Sequence, residues 1–206
     1  IDSDTVLNDD IAKLYDHDLG NNLLGACTDT SIQFVEKMLR YIKEVLTLDP
    51  KEYINSGMLV MNAKAFREEN FVDKFFSLLG RYHFDCIATD QDYLNEICSG
   101  RIKYLDGRWD AMPNENTAAL ENPGLIHYNL FFKPWRFSGI QYEDYFWTNA
   151  EETIFADELK AELAKTTDEE RDTEYHKMDH MLGKLDTTLQ DPHNWARVKE
   201  NEQVTL

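Results

Sequence analysis

Cysteine is scarce in this 206-residue chain: Cys27, Cys86 and Cys98 stand far apart, each in an apolar stretch and none in a Cys-x-x-Cys pair. An odd number at such spacing excludes a disulfide framework and reads as reduced core thiols in a cytoplasmic protein. No apolar run approaches the roughly 20 residues that cross a bilayer. There is no Asn-x-Ser/Thr sequon, internal repeat, glycine-rich phosphate loop or Gly-x-Ser-x-Gly elbow. Positive charge is also short, with 21 Lys and Arg against 39 Asp and Glu and a formal net charge of −18. The basic residues are scattered among acids, which argues against a nucleic-acid surface and leaves docking at a membrane surface without a sequence signal. An anionic substrate then needs a metal ion or a few well-placed cations.

What the chain does contain is a core. Hydrophobic residues make up 42% and aromatics 12%, too much for a disordered acidic polymer and enough for one domain with an appendage. Apolar residues recur at helical spacing over 31–48, through Ile32, Val35, Met38, Leu39, Ile42, Val45 and Leu46, with Pro50 beyond. Short apolar runs at 23–27, 58–61, 101–105 and 125–128 predict strands, and 63–79 and 90–98 predict helices. Strands alternating with helices give an α/β fold. From 157 to 206 the chain is acidic and helix-prone, broken at Asp191-Pro192-His193, and is expected to form a helical tail packed loosely on a domain spanning 1–156.

Four motifs carry chemistry. Asp2-Ser3-Asp4 sets two carboxylates two residues apart, a pattern that suits a hard divalent cation. Alone it decides little, because Asp16-His17-Asp18 and Asp90-Gln91-Asp92 share it. Asn55-Ser56-Gly57 reads as a polar turn before a buried strand. Asp90-Gln91-Asp92 opens a helix, where Asp90 also suits a capping role and Gln91 a surface one. His127 ends a strand, with Lys133-Pro134-Trp135 following. As single residues, His127 reads equally as a core histidine, and Asn55 with Gly57 as an ordinary turn. His176 and His180 lie four apart on a helix but lack a third ligand, and read as a solvated face.

Taken together and in this order, from Asp2 to about Phe155, these motifs resemble glycosyltransferase family 8, the retaining, metal-dependent nucleotide-sugar enzymes of GT-A fold, and most of all its bacterial members. The resemblance implies that Asp2, Asp4 and His127 hold Mn²⁺, with Mg²⁺ as the alternative, and that Lys133 contacts the diphosphate of UDP-glucose or UDP-galactose. It further implies that Asp29, Asn55 and Asp90 face the donor sugar, with Gln91 beneath its anomeric carbon, and that the acceptor is a glycan or lipid-linked. Because the chain opens at Ile1 directly on the Asp-x-Asp motif, the nucleoside-binding part of that fold is expected to be missing. The family often has glycine three residues after the histidine. Leu130 stands there instead, so a different backbone geometry is expected in that loop. Two rivals remain: a metal-binding module without turnover, and a glycoside hydrolase built on Asp90 and Asp92.

Overall fold

A computed structural model describes residues 1–81 and 86–204. The first half runs β1 (Thr5–Leu7), α1 (Ala12–Tyr15), β2 (Leu24–Thr28), α2 (Glu36–Glu44), β3 (Ile54–Met61), α3 (Ala63–Glu68) and α4 (Phe71–Arg81). Then come α5 (Thr89–Ile97), β4 (Ile102–Tyr104), a 3₁₀ turn (Gly107–Asp110), β5 (Leu125–His127), α6 (Glu143–Ala150), α7 (Ala156–Leu163), α8 (Asp168–Gln190) and α9 (Trp195–Glu202). This is the α/β architecture that the alternating pattern predicts.

The almost wholly buried run of β2 makes it the central strand of a mixed sheet, antiparallel to β3 and parallel to β4. β1 and β5 form a separate antiparallel ribbon that pairs Thr5 with His127. A parallel bridge from Ala111 to Ile126 ties the segment after the 3₁₀ turn to β5. Both β1 and β5 thereby converge on the strand end that carries His127.

Three local expectations are corrected. The helix expected over 31–48 forms only as α2, although Ile32, Val45 and Leu46 outside it are buried too. Apolar spacing reported their burial, not their backbone. The single helix expected over 63–79 is two, because Asn70 takes a left-handed conformation at φ 50° between α3 and α4; asparagine tolerates that region better than most residues. Asn55-Ser56-Gly57 lies within β3 and not before it, in the irregularity where pairing with β2 skips from Leu59 to Ile54, and it keeps a turn-like bond from the Gly57 N–H to Asn55 Oδ1. The Asn55 side chain needs no solvent, since it finds its partners inside the protein.

The acidic tail is not loosely packed. Leu185 of α8 and Trp195 of α9 are fully buried in the core cluster with Met38, Tyr41, Ile42 and Val45, and Leu182 and Leu189 line the same stripe. Few apolar residues suffice when they fall at i, i+3 and i+7. Lys199 of α9 adds an ion pair at 2.9 Å to the buried Glu96 of α5. The break at Asp191-Pro192-His193 does separate α8 from α9. No helix among the described residues is long and apolar enough to cross a membrane.

Candidate active site

Two corners of the molecule hold the motif residues, and β3 runs between them. At the first, the bend before β1 is stitched by its backbone. Asp2 N–H donates to the Gly57 carbonyl at 2.7 Å, and Tyr128 N–H to the Asp4 carbonyl at 2.9 Å. These bonds bring both carboxylates over the end of β5. His127 Nε2 lies 3.4 Å from Asp4 Oδ1 and 3.8 Å from Asp2 Oδ2. One ligand atom from each of the three residues falls within 4.8 Å of the others. A cation bound at about 2.1 Å sets its ligand atoms about 3 to 4 Å apart, so this donor set fits a hard divalent ion with little movement. Lys133 Nζ pairs with Asp4 Oδ2 at 2.5 Å and also donates to the Tyr128 carbonyl.

Behind the ring, His127 Nδ1 faces Asp110 Oδ1 at 3.1 Å. Burial opposes charge on the imidazole, but Asp110, then Asp4 and Asp2, outweigh it and raise the His127 pKa above the ordinary histidine value. Burial likewise raises the Asp110 carboxyl, against the pull of His127.

The second corner is a closed hydrogen-bond net. Asp29, which follows β2, is 3% exposed, and its carboxylate accepts four bonds. Two come from the Ser31 N–H and hydroxyl, and one each from the Asn55 and Gln91 amides, both at 3.1 Å. Gln91 Oε1 accepts the Ser56 N–H at 2.9 Å, and Asn55 Oδ1 the Gly57 N–H at 2.8 Å. Asp29, Asn55 and Gln91 are thus brought together. Asp90 is not part of the net: it is exposed, and its carboxylate takes the Thr89 hydroxyl. Its neighbour Asp92 is wholly buried, accepting from the Tyr41 and Tyr53 hydroxyls and the Ile87 and Ala88 N–H groups. A carboxylate sealed in that way cannot serve with Asp90 as a hydrolase pair.

The family model for glycosyl transferase family 8 matches residues 1–139. The chain belongs to that family. A putative glycosyltransferase of Haemophilus influenzae is 32% identical over 115 residues, covering 56% of this chain and 34% of that protein. The structure of the WbbM bifunctional glycosyltransferase superposes with a TM-score of 0.66 at 24% identity, over 80% of this chain and 34% of the other. Galactosyltransferase LgtC, in complex with donor and acceptor sugar analogues, gives 0.53 at 21% identity, over 80% of this chain and 59% of that one. These likenesses establish the GT-A type of fold. The chain spans about a third to a half of the length of the curated relatives it matches.

The family's glycine position bears on Leu130. Its backbone sits at φ 57°, in the left-handed region, with the side chain half exposed. The loop therefore takes a conformation suited to glycine although leucine occupies it. Leucine is strained there by about 1 kcal/mol or more. Leu130→Gly is expected to leave the melting temperature unchanged or raise it by a few degrees, because relief of strain offsets the entropy that glycine adds to the unfolded chain. Thermal unfolding followed by circular dichroism checks this.

Asp110 escaped the sequence, and its only local signal is an acid inside the apolar run Trp109-Asp110-Ala111-Met112. Gly57 stood out only as part of a turn motif, and its importance lies in what it touches. A Cβ placed there would stand 2.1 Å from His127 Cε1.

Proposed function

We propose that the protein acts as a retaining hexosyltransferase, moving glucose or galactose from a UDP-sugar to a glycan or lipid-linked acceptor with Mn²⁺. The observation that carries this reading is the junction of the two corners through β3. Gly57 touches His127 and Asp2, while Asn55 and Ser56 bond Asp29 and Gln91. A diphosphate at the first corner and its sugar at the second would lie along one strand.

The site chemistry suits that substrate. Asp2, Asp4 and His127 would hold the cation, and an imidazole beside two carboxylates favours Mn²⁺ over Mg²⁺. When bound, the cation supplies Lewis-acid stabilisation of the departing diphosphate. Lys133 adds a point charge for the same oxygens once it leaves Asp4. The Asn55 amide bonds Asp29 through one N–H and keeps a second for the donor sugar, while Gln91 bonds Asp29 and also the Tyr53 hydroxyl oxygen. As a neutral amide Gln91 is no strong nucleophile, which fits a front-face displacement with retention. Asn55 and Gln91 then stabilise an oxocarbenium-like state by their fixed dipoles, with Asp90 at the rim.

A cavity of about 300 Å³ suits the acceptor, with Asn114, Asn129, Phe131, Phe132, Arg171 and Tyr175 among its walls. Amides beside aromatic faces are the usual furnishing of a saccharide site. On this reading residues 1–156 form the catalytic portion and 157–206 a helical tail, whose α8 supplies Arg171 and Tyr175 to that wall.

Calorimetric titration tests the reading. Mn²⁺ is expected to bind, and UDP-glucose or UDP-galactose to bind only with Mn²⁺ present and only in a chain extended upstream of Ile1. Asp4→Asn is expected to weaken Mn²⁺ at least about tenfold, in line with losses at metal sites. Metal-independent nucleotide binding, unchanged in Asp4→Asn, would sink the proposal. Binding without any sugar release over hours would favour the inactive metal-binding module.

A further inference from the structure

Asp110 is an expensive residue to bury. Its side chain is wholly shielded, and Oδ2 has no hydrogen-bond partner among the described residues. An anion taken out of water costs several kcal/mol unless a partner offsets it. Among the described residues its one side-chain partner is His127, through Nδ1 at 3.1 Å.

The backbone places Asp110 there with care. The 3₁₀ turn is capped by the Asp106 side chain and ends at Asp110. The next residue, Ala111, locks onto β5 from both sides: its N–H donates to the Leu125 carbonyl at 2.9 Å, and its carbonyl accepts from His127 N–H at 3.0 Å. Asp110 and His127 are thus fixed in register by main-chain bonds. Gly57 lies against the ring at Cε1, leaving the Nε2 edge directed at Asp2 and Asp4.

We propose that Asp110 is the positioning residue of the cation site. By accepting the Nδ1–H of His127 it selects the tautomer whose Nε2 lone pair faces Asp2 and Asp4, and it holds the ring at the angle that coordination needs. A carboxylate behind a ligating histidine also raises its basicity, so the ring binds a cation more tightly. This inference rests on the cation site proposed above, but it makes its own claim about the metal-free ring.

Two variants separate positioning from packing. Asp110→Asn keeps the shape and loses the charge; Asp110→Leu keeps the branching and loses the acceptor. The first measurement is the nitrogen-15 spectrum of the metal-free protein at a pH where the ring is neutral, with His127 assigned by comparison with His127→Gln. Wild type is expected to show the proton on Nδ1, and Asp110→Leu to move it to Nε2. The second is Mn²⁺ titration, in which both variants are expected to bind about 10- to 100-fold more weakly. Thermal melts of the metal-free proteins run alongside. A wild-type ring protonated on Nε2 would overturn the proposal, whether or not Mn²⁺ binds. So would Asp110→Asn with a lowered melting temperature and unchanged Mn²⁺ affinity, which is the mark of a purely structural role. If wild type binds no Mn²⁺ but keeps the Nδ1 proton and loses it in Asp110→Leu, the cation reading fails while the orientation of the ring stands.

Discussion

Gly57→Ala is expected to abolish measurable Mn²⁺ binding and to lower stability by about 3 kcal/mol. The added methyl would lie 2.1 Å from His127 Cε1, 2.6 Å from Nδ1 and 2.8 Å from Nε2. The ring cannot yield cheaply. It is 3% exposed, bonded through Nδ1 to Asp110, and carried on a backbone pinned by Ala111 and Thr5. Displacing β3 instead would pull on the Asp2 N–H bonded to the Gly57 carbonyl. Either movement scatters the three ligands and leaves Asp110 unpaired. Mn²⁺ titration and chemical denaturation of one sample check both parts. Retained Mn²⁺ affinity would mean that the ring is not held where the structure has it.

The second large effect is expected at Asp92. Asp92→Ala would take the acceptor from the buried Tyr41 and Tyr53 hydroxyls and from the half-buried Ala88 N–H, while the Ile87 N–H keeps the Tyr41 oxygen at 3.3 Å. At about 1 kcal/mol or more for each unsatisfied donor, the loss comes to roughly 3 kcal/mol. Asp92→Asn is the informative control. Its oxygen can accept from Ile87, Ala88 and Tyr41 while its amide donates to the Tyr53 hydroxyl, so a loss of about 1 to 2 kcal/mol is expected. Burial raises the Asp92 carboxyl above its usual range. With the folded pKa above the unfolded value, stability from this group is greatest in acid and falls as pH rises through the folded pKa. The asparagine control should flatten that part of the profile. Urea unfolding at several pH values measures all three quantities.

What the sequence disclosed divides along a physical line. That Asp2, Asp4 and His127 come together was legible through the order of the motifs and the family they resemble, since each motif alone decides little. Asn55 and Gln91 were legible for a similar reason. Asp110 and Asp92 were not, because a buried carboxylate looks like any other among 39 acids. What distinguishes them is a partner far away in the chain: His127 for one, Tyr41 and Tyr53 for the other. Helical spacing found the apolar faces but overran the helices, since Asn70 and the turn before α2 broke the backbone where the side chains stayed apolar. The tail misled in the opposite sense. Its charge concealed Leu182, Leu185, Leu189 and Trp195, which close the core.

The irregularity in β3 has one more consequence. Two steps along β2, from Ala26 to Thr28, face five along β3, from Leu59 back to Ile54, so the stretch from Asn55 to Gly57 bulges out of the regular ladder. The spacing between the two corners is thus set by main chain that the register of the sheet does not dictate. An insertion there would alter that spacing while Leu59, Val60 and Met61 keep their partners on β2, which makes the bulge the cheapest place for this scaffold to vary what it accepts.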